Sequence, residues 1–243
     1  MAKRILSYKT GFWFFFSFFL IVAILFAIFF YLEVSYKVGI NYYVHEKKIP
    51  LFNKLVHFVS RDLQYKEIIG EILKPDMDDK DKIMAIYKWT IDNTRLHPPN
   101  MPVVDDHVAH VIIRGYGDSD QIADVFATLC AYADIPAFMR FISPKNRKER
   151  LGIAFVKHKG KWIVFDPAHR NIFVNSRNEW AGVEEIISDI SIVKMAKNQP
   201  VVNGLPYSDY FNNLKPVKDI GLTKTEAQMP CKRLKYEVMK FFR

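Results

Sequence analysis

Twenty-two consecutive residues, Gly11 to Leu32, carry no charge, and all but Gly11, Ser17, Ala23 and Ala27 are bulky.

 

About 20 apolar residues suffice to cross the hydrocarbon core of a bilayer. The run is apolar on every helical face, so it has no polar side with which to meet water as a soluble core helix would. It is therefore read as a membrane span, closed on its own backbone hydrogen bonds as lipid requires. A cleaved signal peptide would have a shorter apolar core and small residues at its exit. Phe29, Phe30, Tyr31 and Leu32 stand there instead, so the span is read as an uncleaved anchor. Lys3, Arg4 and Lys9 precede it with no acid among them. The positive-inside rule then predicts a cytoplasmic N-terminus and an extracytoplasmic domain, in a single-pass cell-membrane protein.

The rest of the chain divides by composition. Residues 1–10 form a basic cytoplasmic tail, 11–32 the anchor, 33–75 a juxtamembrane helical region, 76–195 a folded domain, and 196–243 an extension with a basic end. Leu51 to Val59 has apolar residues at helical spacing and suits a short amphipathic helix. Asp76 to Asp81 supplies acidic caps for a helix ending near Thr94, with Ile83, Ile86, Tyr87 and Trp89 facing inward. Pro98, Pro99 and Pro102 make an extended connector, and Asp105–His110 a polar turn. Pro136–Ser143, Leu151–His158 and Lys161–Asp166 read as strands. The dipeptide Lys159-Gly160 joins the last two as a hairpin. Val183–Ile192 reads as a helix, Pro200–Pro216 as irregular, and Cys231–Arg243 as a solvated basic helix.

The segment Gly115-Tyr-Gly-Asp-Ser-Asp-Gln121 organises the domain. Its glycines permit a sharp bend, and Asp118 or Ser119 supplies an N-cap oxygen to the helix that follows. Ile122, Val125, Phe126, Leu129 and Cys130 give that helix a buried stripe, and Pro136 cannot continue it. Residue 119 thus sits where unpaired N–H groups favour a developing anion, which is where an enzyme would place a nucleophile. These residues, with Ala123 and Ile135-Pro-Ala137, resemble the core of the transglutaminase-like (papain-like cysteine peptidase) superfamily. The similarity resumes at Gly160-Lys-Trp-Ile-Val-Phe-Asp-Pro167. It implies an α+β fold, a central helix packed on an antiparallel sheet, here preceded by one transmembrane helix. It also implies that Ser119 stands where the family has its nucleophilic cysteine, and that Asp166 matches the family's aspartate.

The family's histidine has no counterpart. With Lys159-Gly160 as the turn, opposed residues sum to about 319, which sets Asp166 against Ile153. The histidine's place on the neighbouring strand then falls at Leu151 or Gly152, and neither can shuttle a proton. His158 lies at the other end of that strand, roughly 20 Å away at about 3.3 Å per residue. A serine hydroxyl without a base is barely nucleophilic near neutral pH. Ser119, Gly152 and Asp166 are accordingly read as degenerate catalytic positions, and the domain as a pseudoenzyme. The alternative is a serine-dependent hydrolase or acyltransferase using Ser119, with His169, His107 or His110 as base. Asp105, Asp106, His107 and His110 raise a metal site, but no third ligand at a defined spacing supports one, and neither a metal nor a cofactor is expected.

After the anchor, 32 basic residues face 26 acidic ones. Lys145-Asn-Arg-Lys-Glu-Arg150, joined by Lys157, Lys159 and Lys161, is the clearest basic cluster. Arg147, Lys148 and Arg150, with Trp162 as an aromatic contact, are the candidate binding residues for an anionic partner. Nothing suggests a nucleic-acid-binding module. Cys130 and Cys231 are too few for a disulfide scaffold, and Cys130 falls on the buried helix face. The expected partners are the membrane and other envelope proteins or an anionic polymer, such as polysaccharide or peptidoglycan. The expected function is binding or assembly at the extracytoplasmic face.

Overall fold

The computed structural model describes residues 2–40, 43–101, 105–218, 223 and 225–241. Pro102, one of the connector prolines, lies outside the described residues. The chain forms two compact units, residues 1–60 and 61–243.

The first unit opens with α1 (Ala2–Tyr31), whose stretch Phe12–Tyr31 has a mean hydropathy of 2.8 and is long and apolar enough to cross a membrane. An antiparallel hairpin follows, β1 (Glu33–Ile40) with β2 (Tyr43–Pro50), in a register running from Glu33 opposite Pro50. The hairpin was not expected within the juxtamembrane region. Helix α2 (Leu51–Ile72) starts in this unit, where the Leu51 N–H donates to Leu32 O at 2.8 Å and Phe52 stacks on Phe30 at 4.6 Å. It runs well past Val59, where the sequence suggested a short helix would end, because its second half has its own buried face: Asp62, Tyr65 and Ile69.

The second unit is built around one buried helix and one sheet. Helix α3 (Asp79–Asn93) is capped by Asp78, whose carboxylate accepts the Asp81 N–H at 2.8 Å. It turns Ile83, Ile86 and Tyr87 inward. A two-residue strand β3 (Arg95–Leu96), then α4 (Val108–Arg114) and the short β4 (Tyr116–Gly117), lead into α5 (Ser119–Tyr132). The second half of the polar turn expected over Asp105–His110 is thus the first turn of α4, with His107 as its N-cap. Every residue of α5 from Gln121 to Ala131 is buried. The chain leaves it through Asp134, at φ 60°, and enters the sheet.

That sheet has four antiparallel strands in the order β5 (Ala137–Ile142), β6 (Leu151–His158), β7 (Lys161–Asp166) and β8 (Asn171–Ile172). Residues 154–158 of β6 pair with 165–161 of β7 in the register anticipated from the turn. Lys159 and Gly160 have φ of 48° and 79°, the paired positive values that a two-residue hairpin turn demands. Alternation along the strands gives each face its own core. Ala154, Val156, Ile163 and Phe165 pack with Phe126 and Leu129 of α5. Leu151, Ile153, Phe155, Trp162 and Val164 pack on the other side with Phe173, Tyr207 and Phe211. This second side is covered by α6 (Val183–Ser188), α7 (Ser191–Lys194) and a 3-10 turn at Tyr207–Asn213, which follows the small hairpin of β9 (Val201–Val202) and β10 (Leu205–Pro206). The stretch 200–216 is therefore more ordered than its Pro, Asn and Gly content suggested. Helix α8 (Pro230–Phe241) closes the described chain. Cys130 and Cys231 are both free, the first buried and the second exposed.

Candidate functional site

The bend before α5 is held by side chains from both flanks. Gly115 adopts φ 71° as the left-handed cap of α4, a conformation that suits glycine. Arg114 then reaches across the bend, donating from Nε to Tyr116 O at 2.8 Å, from Nη1 to Asp105 O at 2.9 Å and from Nη2 to Gln121 Oε1 at 2.8 Å. Gln121 Oε1 also accepts the Asp118 N–H at 3.0 Å, and Gln121 Nε2 donates to Asp106 Oδ1 at 2.8 Å. Asp118 is the N-cap of α5, so Ser119 is its first helical residue. Burial, and then the neighbouring Asp106 charge, raise the Asp120 carboxyl to about 6.

The two histidines upstream of the bend serve this local network. His110 Nδ1 lies 2.5 Å from Asp105 Oδ2, and the His107 N–H donates to Asp105 Oδ1 at 3.0 Å. Burial and then the Arg61 charge depress His107 to about 4. The described residues contain no group of three or more His, Cys, Asp or Glu placed to hold a metal.

Ser119 Oγ accepts the Gly152 N–H at 3.3 Å, the partner the described residues give it. Gly152 is a glycine for steric reasons. A Cβ on it would stand 2.2 Å from Asp120 Cα, so the start of β6 rests directly on the start of α5. Of the two positions considered for the family histidine, Gly152 is thereby excluded: no side chain fits. Leu151 points to the opposite face and is fully buried in the core there.

Asp166 shares that opposite face. Continuing the β6–β7 register by one residue sets it against Ile153. Its carboxylate, fully buried, accepts the Tyr207 hydroxyl at 2.6 Å and the His169 N–H at 3.1 Å, and lies 2.8 Å from His169 Nδ1. Burial, and then the Asp166 charge, push Tyr207 well above the ordinary tyrosine value, so it remains a proton donor to that carboxylate. Strand alternation thus separates the groups: Ser119 meets the sheet on the α5 face, and Asp166 with His169 and Tyr207 lies on the other. Tyr207 was not foreseen, because 41 residues separate it from Asp166 and no local pattern marks it.

The basic cluster does not form one patch. Residues 145–150 connect β5 to β6 at the Ser119 end, while Lys159 and Lys161 flank the turn at the other end of β6. Seven steps of about 3.3 Å put these ends roughly 23 Å apart. Arg147, Lys148 and Arg150 are exposed, and Arg150 lies 5.7 Å over the Phe141 ring. Trp162 is not available as a binding residue. It is 8% exposed, set edge-on to Phe138 at 5.1 Å, and belongs to the core beneath the second face.

A helix N-terminus resting on an antiparallel sheet, with an aspartate at the end of the third strand, defines an α+β domain of transglutaminase-like architecture. The model of the transglutaminase-like superfamily matches residues 66–167, and the chain carries such a domain. No curated protein matches its sequence. Among solved structures, a candidate cysteine protease from Cytophaga hutchinsonii is similar at 16% identity and a TM-score of 0.37, over 50% of this chain and 45% of that one. A candidate protease from Parabacteroides distasonis is 13% identical at a TM-score of 0.36, over 55% of this chain and 35% of that one. A TGase is 14% identical at a TM-score of 0.36, over 61% of this chain and 46% of that one. The chain spans less than half the length of each of these three.

Proposed function

We propose that this domain is a non-catalytic binding or assembly module, held at the extracytoplasmic face of a membrane by α1. The observation that carries the reading is Leu151. It is fully buried at one of the two strand positions that the resemblance assigns to the family's histidine. Its neighbour Gly152 cannot take a side chain, and Asp166 is already bonded to Tyr207 and His169. An unassisted serine hydroxyl lacks the adjacent base that covalent acyl transfer requires. What remains exposed at that end is the loop bearing Arg147, Lys148 and Arg150, suited to an anionic partner such as an envelope polysaccharide or peptidoglycan.

The test is made in cells lacking their own copy. Ser119→Ala should be nearly silent, and charge reversal of Arg147, Lys148 and Arg150 together should do more harm. A complete loss of function in Ser119→Ala, with the protein folded and present in the membrane, would overturn the reading. It would favour a serine-dependent hydrolase instead. The observation behind that second reading is the Asp166–His169 pair at 2.8 Å, with the His169 side chain 9% exposed.

A further inference from the structure

At the β6–β7 turn, far from Ser119, the second unit carries an open cavity of about 340 Å³. That lies at the lower end of the range for small-molecule sites. One wall is Trp180, fixed rather than mobile: its indole meets Phe165 edge-on at 5.3 Å, and its backbone bridges Val174. His158 stands edge-on to the same indole at 5.3 Å. Burial, and then the Lys159 charge, lower the His158 pKa, while Asp78 and Asp79 oppose that and Lys80 adds to it.

Three ammonium groups surround the cavity. Lys80 lies 5.5 Å over the Trp180 ring, Lys161 is 3.7 Å from Glu185, and Lys159 sits exposed at the tip of the turn. Ile163 also lines the cavity, and Asn178 and Glu179 complete the lining on a turn closed by the Asn178 N–H to Asn175 O and the Asn175 N–H to Glu179 O, at 2.9 and 2.8 Å. A ligand that was only an anion would answer the lysines and leave Asn178, Glu179 and Trp180 unused. A ligand with hydroxyls for Asn178 and Glu179, one anionic group for the lysines and an apolar ring face for Trp180 and Ile163 uses most of the lining. We propose that this cavity binds an acidic sugar unit, a pyranose bearing one carboxylate or phosphate group. The site is independent of Ser119 and holds whether or not that residue reacts.

Full-length protein in detergent micelles is titrated calorimetrically with glucuronic acid, glucose 6-phosphate and glucose. At least one acidic sugar should bind about tenfold tighter than glucose, and Lys159→Glu should weaken it by about tenfold through like-charge repulsion. Lys159 is exposed at a turn, so that variant keeps its fold; Trp180→Ala should weaken binding as well, with folding checked by its melting curve. Preference for glucuronic acid would identify a carboxylated sugar as the source, and preference for glucose 6-phosphate a phosphorylated one. Equal binding of all three sugars, binding of none, or unchanged affinity in Lys159→Glu would overturn the proposal. Ser119→Ala should leave the titration unchanged, which separates this result from the fate of the reading at the other end.

Discussion

The two ends of β6 carry similar kinds of residue and treat them differently. At the Leu151 end, Gly152 is pressed on α5 and the polar groups are satisfied by one another: Ser119 by the Gly152 amide, Asp166 by Tyr207 and His169. At the His158 end, Gly160 has nothing within 4 Å of where its Cβ would be, and lysines, a histidine and a tryptophan line an open cavity. Buried polar groups must be paired or they cost stability, and at the Leu151 end they are paired with one another. Groups that stay open to solvent remain free to meet a ligand. The contrast sets an end whose polar groups bond to one another against an end whose polar groups line an open cavity.

The largest expected effect sets the two glycines against each other. Gly152→Ala should destabilise by about 3 kcal/mol or more, the upper end for overpacking, because the collision is with backbone. Gly160→Ala should cost only about 1 kcal/mol, from its positive φ alone. Chemical denaturation of both variants measures the gap, and equal costs would mean that β6 does not rest on α5.

A smaller effect concerns charge at the crowded end. The folded-state pKa of Asp120 is raised to about 6, so the folded state holds its proton more tightly than the unfolded state does. The ionised form therefore destabilises the fold above about pH 6, and that penalty fades as the pH falls towards 4. Asp120→Asn should stabilise the protein by about 1–2 kcal/mol at pH 7 and leave it nearly unchanged at pH 4. Thermal melts at the two pH values check this, and a stabilisation independent of pH would remove burial of the charge as its cause.

Much of this arrangement was legible in the sequence where the signal is local. The Lys159-Gly160 turn gave the β6–β7 register, and the glycine bend with Asp118 gave the start of α5. The β1–β2 hairpin was missed although Val34, Tyr36, Val38 and Ile40 alternate with polar or small residues, the period of a strand. The helical periodicity of Leu51–Val59 set the reading of the juxtamembrane region as a whole. Tyr207 and the fate of Trp162 were not legible at all. Which face a strand residue presents, and what packs on it from 41 residues away, is a tertiary outcome with no local signature.

The central claim, that no base serves residue 119, is tested most directly by Ser119→Cys in a Cys231→Ser background, since Cys231 is the exposed thiol and Cys130 is buried. The rate of alkylation by iodoacetamide is followed against pH in the full-length protein. The account predicts an ordinary thiol titrating near or above about 8.5, because Asp118 and Asp120 flank it and offset the helix N-terminus, and no cationic partner stands beside it among the described residues. Rapid alkylation that is already complete in its pH dependence by about pH 6 would reveal an activated thiolate, and would contradict the account.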